Sequence, residues 1–330
     1  MQAIVQEKFG EPEVLELRDV PDPEPGPGQV RIAVAAAGVH FVDTAFRRGD
    51  PPFPQPELPT VPGREVAGTV DAVVADVPQT WLGRDVVVHL GMAGGGYAER
   101  VLAAAASLHP LPDGLTPATA VAMIGSGRTA VLLLDQAAIT SDDVVLVTSA
   151  AGGLGTLFVQ AARHAGARVV GLAGGPEKTA HVAALGADAV DYRAPGWTER
   201  LQEVAGGATV ALDGVGGEIG RAVLTALRSG GRALVFGFAS GDRDWFATAA
   251  TVRDDITIVP GLAQRPTGDV LRDLETRSLA EAAAGRLVPH VTTFPLADAA
   301  AAHRALEERR TTGKVVLVPR SGNTVSIPNR

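Results

Sequence analysis

Cysteine is absent from all 330 residues. Disulfides, thiolate metal ligands and cysteine nucleophiles are therefore excluded outright. The absence does not itself assign a compartment. A basic excess is also missing: the formal net charge is −8. That argues against nonspecific binding to nucleic acid or an anionic membrane. No run of roughly 18 or more apolar residues suggests a membrane span. The N-terminus lacks a basic segment followed by an apolar core, so no secretory signal is expected and cytoplasm is the default. No internal repeat is visible. What is present is 46% hydrophobic and 20% charged residues. This suits a soluble globular enzyme with a sizeable core, and the length favours two domains.

The most informative stretch runs from Val144 to Gly155. Val144-Val145-Leu146-Val147 suits a buried parallel strand. A glycine-rich turn follows, and Leu157, Phe158, Ala161 and Ala162 begin an apolar helical stripe. A strand running through such a turn into a helix presents free helix N–H groups and the positive end of the helix dipole to a diphosphate. The pattern is Ala150-x-Gly152-x-x-Gly155, with Gly153 and Leu154 between and alanine at the first glycine position. Gly152 lets the backbone approach the diphosphate, and Gly155 lets helix pack on strand.

Around this stretch the chain changes texture. Before Thr116, short strands alternate with Pro/Gly turns: Val30, Ile32 and Val34 alternate as a half-buried strand should. Pro117 to Asp135 reads as helical, interrupted near Gly125-Ser126-Gly127. Further strands are expected at Arg168–Leu172, Ala187–Asp191, Val210–Asp213, Arg232–Phe236 and Ile256–Val259, with helices between them. A charged helix near Val270–Ala284, a strand at Val288–Val291, an alanine-rich helix through Leu306 and a strand at Lys314–Val318 complete the chain. That last strand is expected to rejoin the first domain. Ser321–Arg330 reads as a loose tail. The fold class is α/β. Residues 1–118 and 264–330 form a discontinuous β-rich domain, and residues 119–263 a doubly wound parallel-sheet domain.

The order resembles the zinc-independent quinone oxidoreductase branch of the medium-chain dehydrogenase/reductase superfamily. The segments that carry the resemblance are Ala36–Thr44, Pro62–Gly68, Gly94–Glu99, Ala150–Gly155 and Thr312–Leu317. The resemblance implies a GroES-like catalytic domain split in sequence around a Rossmann domain, with the active site in the cleft between them. It also implies a homodimer joined through the edge strand near Ile256–Val259. The plainer reading of that strand is an edge blunted by Arg253, Asp254 and Asp255.

Zinc members of this superfamily hold catalytic metal with cysteine, histidine and a third cysteine or acid. Here His40 and Arg64 stand at the first two of those positions. A guanidinium has no acceptor lone pair and cannot ligate zinc. One ligand is not a catalytic site, which needs three, so no metal is expected. Cofactor choice turns on Gly171-Leu172-Ala173-Gly174-Gly175, which lacks the acid that bonds the NAD ribose. The resemblance assigns Gly174 and Lys178 to the NADP 2′-phosphate and Tyr192 to its surroundings. Thr129 and Phe236 complete the implied cofactor set. NADPH is favoured, and Glu177 beside Lys178 leaves NADH open.

On the substrate side, His40 is the candidate proton or hydrogen-bond donor to a carbonyl gaining charge, or else a half-buried structural histidine. Asp43 and Glu65 match polar positions that organise the cleft in the resembling enzymes, or else form structural ion pairs, with Arg64 a candidate partner for either. Ala45 stands where related reductases often carry tyrosine. Phe41, Phe46, Arg64 and Phe238 are candidates for lining the acceptor. The expected reaction is NADPH-dependent reduction of a quinone or another small apolar conjugated carbonyl. The alternatives are an enoyl-thioester or enone reductase, and a weakly catalytic NADPH-binding sensor or structural protein.

Overall fold

Alternating apolar residues in the first segment become paired strands. The computed structural model describes residues 1–51, 55–242, 244–263 and 266–319. The expected tail lies outside them. The chain divides into two compact units, residues 1–125 with 291–319 and residues 126–290.

The first unit opens with β1 (Gln2–Gln6), β2 (Leu15–Asp19), β3 (Gln29–Val39), α1 (Phe41–Arg48), β4 (Glu65–Val73), β5 (Asp85–His89), β6 (Arg100–Ala104), β7 (His109–Pro110) and α2 (Pro117–Ala122). The second unit contains α3 (Arg128–Ala137), β8 (Val144–Val147), α4 (Gly153–His164), β9 (Arg168–Ala173), α5 (Pro176–Ala184), β10 (Asp188–Asp191) and α6 (Trp197–Ala205). It continues with β11 (Ala208–Asp213), α7 (Gly217–Ala226), β12 (Leu227–Val235), α8 (Trp245–Thr248), β13 (Thr257–Pro260) and α9 (Gly268–Ala283). The chain then returns to the first unit through β14 (Val291–Pro295), α10 (Ala299–Glu307) and β15 (Lys314–Val318).

In the first unit the sheet order is β14-β15-β3-β4-β5-β7, with β6 also on β3. The return of β15 is as expected from the sequence. It runs antiparallel to β3, with Val315 opposite Val39 and Val316 opposite Gly38. On the other side of β3, Ala37 faces Val66, and Glu65 faces His89. Residues 38–40, 65, 89 and 314 therefore gather at one end of four neighbouring strands. Ile4, Ile32, Val66, Val88, Tyr97 and Leu317 belong to the core behind them.

The second unit is a six-stranded parallel sheet in the order β10-β9-β8-β11-β12-β13. Numbered within the unit this is 3-2-1-4-5-6, the dinucleotide-binding arrangement. All six residues of β11 are buried, as a central strand covered on both faces requires. At its end the fully buried Asp213 accepts hydrogen bonds from Trp245 Nε1 at 2.7 Å, Thr148 Oγ1 at 3.0 Å and two backbone N–H groups. Burial nevertheless pushes its carboxyl above the usual range.

The unit boundaries differ from those expected at 118 and 263. Helix α2 packs against β3 and β4 and so stays with the first unit. Helix α9 stays with the second because it packs against α3. Arg277 forks onto Asp135 with two contacts of 2.8 Å, and Arg128 pairs with Glu275. Sequence periodicity shows a charged helix there but not its partner. The strand expected at Val288–Val291 begins only at Val291 and runs to Pro295, where it pairs in parallel with β15. Proline at 289 has no ladder N–H to offer. The interruption near Gly125 is a π turn, Met123–Gly127. The stretch Pro117–Ala137 is apolar and long enough to cross a membrane by length and composition, but this turn breaks it and half of it is buried in the fold.

Candidate functional site

Glu65 is the centre of the polar cluster at the end of the first sheet. It is fully buried. Lys314 Nζ pairs with its Oε1, and His40 Nε2 lies 2.9 Å from its Oε2. Burial by itself would raise this carboxyl. The charges of His40 and Lys314 outweigh burial and hold it far below the usual carboxylate range. Lys314 is 4% exposed, so its ammonium is committed to this pair. Two glycines make the space. A Cβ at Gly38 would stand 2.0 Å from Glu65 Oε1, and one at Gly125 would stand 1.9 Å from Oε2 and 3.0 Å from His40 Cε1. Glycine is required at both by close approach.

The tertiary structure corrects the count of metal donors. His40 was the single ligand expected from the sequence, yet His40, Glu65 and His89 place ligating atoms within 4.8 Å of one another. Histidine, histidine and glutamate are a recognised catalytic zinc set. Two contacts oppose that use. Lys314 already supplies a positive charge to the carboxylate. His89 Nδ1 accepts the Gly91 N–H at 3.0 Å, which puts the proton of the neutral ring on Nε2. A ligating histidine needs the opposite arrangement, one bare nitrogen on the metal and an N–H given away.

A second network adjoins the first. Asp43 is buried, with Oδ2 accepting the His40 backbone N–H at 2.8 Å and Oδ1 accepting Arg64 Nε at 3.1 Å. Asp43, the third residue of α1, thus bonds back to the N-cap residue His40 as in a capping box while holding Arg64. Burial raises its carboxyl, but Arg64, His40 and the His40 N–H together hold it below the ordinary value. Tyr97 Oη lies 3.4 Å from Asp43 Oδ2 and 3.2 Å from His303 Nε2. Burial pushes His303 down to about 4, so the ring is neutral at physiological pH. The Arg64 guanidinium carbon sits 5.0 Å from the centroid of the Phe46 ring. Of the two acids that the sequence left as alternatives for pairing with Arg64, Asp43 makes the pair and Glu65 pairs with Lys314 and His40. His40, Arg64 and Phe46 come together. Phe41, on the same helix, is 45% exposed. Phe238 belongs to the other unit, where its ring meets Phe246 edge-on at 5.7 Å.

In the second unit, Gly152 caps the N-terminus of α4, and the turn places Gly153, Leu154 and Gly155 in the first helical turn. A Cβ at Gly155 would stand 2.2 Å from the Ser149 carbonyl oxygen and 2.7 Å from Ala150 Cα, so helix and strand touch here. This is the packing role expected of that glycine. Ala150 N donates to Leu172 O at 2.9 Å, tying the turn to β9. Phe236 follows β12, its ring 5.5 Å from that of Phe158. Thr129 is the second residue of α3.

At the end of β9, a Cβ on Gly174 would meet Tyr192 Oη at 2.6 Å and Arg193 Nε at 2.9 Å. Tyr192 and Arg193 therefore close around the glycine that the family resemblance assigned to the 2′-phosphate. Lys178 lies in the first turn of α5, which starts two residues after Gly174. Arg193 went unnoticed in the sequence, although it adjoins Tyr192. Only the register of β10 beside β9 brings it to Gly174. The nearby acid, Asp191, is turned inward: Oδ1 accepts the N–H groups of Gly175 at 2.8 Å and Arg193 at 2.9 Å. The residues present fit a 2′-phosphorylated dinucleotide. Backbone N–H groups start a helix, and Arg193 stands against the glycine where an NAD site needs an acid, with Lys178 in the first turn of the next helix.

Comparison with known proteins agrees with this architecture. The description "Alcohol dehydrogenase GroES-like domain" matches residues 26–113, and "Zinc-binding dehydrogenase" matches residues 185–317. The second match includes none of His40, Glu65 and His89. A quinone oxidoreductase of Pseudomonas aeruginosa is 33% identical over 94% of this chain and 97% of its own length. A 2-haloacrylate reductase of a Burkholderia species is 33% identical over 97% of this chain and 99% of its own. The Escherichia coli quinone oxidoreductase structure, complexed with NADPH, superposes with a TM-score of 0.85 at 28% identity, covering 97% of this chain and all of that one. With the split β-rich unit, the parallel dinucleotide-type sheet and relatives matched over nearly their full length, the chain belongs to the quinone oxidoreductase branch of the medium-chain dehydrogenase/reductase superfamily.

Proposed function

We propose that this oxidoreductase uses NADPH to reduce a quinone or another conjugated carbonyl, without zinc. The observation that carries the reading is the end of β9. Gly174 lies between Tyr192 and Arg193, Lys178 follows on α5, and no acid stands where an NAD ribose would need one. NADPH, when bound, supplies the hydride. The glycine turn before α4 holds its diphosphate, and Gly174, Lys178, Tyr192 and Arg193 hold its 2′-phosphate. The acceptor relatives named above are a quinone and a haloacrylate, both conjugated.

In the first unit, Lys314 and Glu65 hold His40 as a protein-only hydrogen-bonding group. His40 Nε2 faces Glu65, which favours orientation of the acceptor over obligatory proton transfer. His40→Ala is accordingly expected to lower turnover about 10-fold, some 1.4 kcal/mol, with NADPH affinity nearly unchanged. Steady-state kinetics beside a cofactor titration will show this. Unchanged turnover in a folded variant removes His40 from the chemistry.

The zinc-free reading rests on Lys314 as the resident cation at Glu65. Purified protein is expected to hold substoichiometric zinc, and chelator to leave turnover intact. Stoichiometric metal with activity lost on its removal contradicts the reading. The function itself is tested by following NADPH oxidation against quinones, enals and enoyl thioesters, with product identification. A hydroquinone product supports quinone reduction, a saturated product an enone or thioester reductase, and cofactor binding without turnover a sensor. We also propose a cytoplasmic homodimer joined through β13, the edge strand of the second sheet. Arg253 pairs with Asp255 at 2.5 Å and turns back onto Leu227 O, so its charge is engaged within the chain.

A further inference from the structure

Arg64 shares Asp43 with the His40 backbone and has more hydrogen-bonding capacity than this partner uses. A guanidinium carries five N–H donors in a planar fork. Among the described residues, its one hydrogen bond runs from Nε to Asp43 Oδ1, at 3.1 Å. That contact leaves the Nη pair, the edge best shaped for a second oxyanion. The group is also pre-positioned. Asp43 is 5% exposed and anchored by the His40 N–H, and the guanidinium lies over the Phe46 ring at 5.0 Å. The Arg64 side chain itself is 19% exposed, so it is held in place but reachable. A cation fixed over an aromatic ring, with its Nη edge still to be engaged, suits an acceptor that ends in an anion.

We propose that Arg64 is an anion anchor and that the preferred acceptors are α,β-unsaturated carboxylates, or conjugated carbonyls bearing a carboxylate. The inference rests on the NADPH-dependent reduction proposed above. Arg64 binds the carboxylate through its Nη groups while its Nε stays on Asp43. Hydride adds to the β-carbon of the acceptor, forming a C–H bond. The electron pair of the C=C bond moves to the α-carbon and the carboxyl group. Arg64 stabilises the charge that develops there, a proton from solvent completes the α C–H bond, and NADPH leaves as NADP⁺.

The test compares cinnamate with its methyl ester, with NADPH as reductant and the saturated product identified. Wild-type enzyme is expected to favour cinnamate in kcat/KM. Arg64→Met should lower the cinnamate-over-ester ratio by about 10–100-fold, and Arg64→Lys, which keeps a charge but loses the fork, should fall between. Folding is checked by NADPH binding. A ratio unchanged in both variants, or wild-type preference for the ester, overturns the proposal. If Arg64→Met does not fold, the Arg64→Lys ratio decides: a fall supports the anchor and no change overturns it. If neither acceptor turns over, calorimetric titration with cinnamate decides. Binding that Arg64→Lys weakens supports the anchor even as the reductase reading fails, and binding that is absent or insensitive overturns it.

Discussion

Replacing Lys314 with methionine is expected to destabilise the protein by about 3–5 kcal/mol. The reason is the carboxylate left behind. Glu65 is fully buried, and its ammonium partner is 4% exposed, so water replaces little of the lost interaction. Removing one member of a buried pair leaves an uncompensated charge, whereas removing both often costs little. The double variant Glu65→Gln with Lys314→Met should therefore recover much of the loss. Chemical denaturation of the two single variants and the double gives the coupling directly. Additive effects would show that the two charges do not support each other.

The same pair sets a pH dependence. The folded-state pKa of Glu65 is lowered, so its stabilising contribution is present above the unfolded value, about 4.3. It is lost progressively as pH falls below that value towards the folded one. The charged and titratable groups facing Glu65 are His40, Lys314 and His89. Lys314→Met should flatten the acid limb of the stability curve. Identical acid limbs in wild type and variant would assign that limb to other carboxylates.

The second large effect is expected at the 2′-phosphate. Lys178→Ala should weaken NADPH by about 10-fold or more, and Arg193→Ala by a similar factor, because each removes a charge-assisted hydrogen bond worth roughly 1.5–3 kcal/mol. NADH should be nearly indifferent to both, since the diphosphate turn from Gly152 to Gly155 is untouched. Fluorescence titration with the two cofactors measures the ratio. A parallel loss of NADH and NADPH affinity would mean that these residues support the fold of the β9–α5 loop and not phosphate recognition. Arg193→Ala is expected to leave the local turn in place. The Arg193 backbone N–H shares Asp191 Oδ1 with Gly175, and the alanine variant keeps that N–H and so keeps the clip.

The sequence by itself determined the strand, glycine turn and helix at the heart of the dinucleotide unit. Four apolar residues, a glycine turn and an apolar helical stripe admit few folds, because a buried parallel strand must be continuously apolar and a diphosphate needs bare backbone. The absence of an acid after β9 was equally legible, as was the break in the helix at Gly125, where a π turn lies. Residue types alone also ruled out thiolate chemistry. What the sequence did not determine was company. Lys314 is 249 positions from Glu65, and only the antiparallel register of β15 on β3 and of β3 on β4 places them in contact. His89 joins them because β5 pairs with β4 at Glu65. Arg193 reaches Gly174 through the pairing of β10 with β9, and α9 joins the second unit through its packing on α3. Local patterns record the period of burial along one element. Which charges meet at a strand end depends on register between elements, and one residue of slip would turn each side chain to the opposite face.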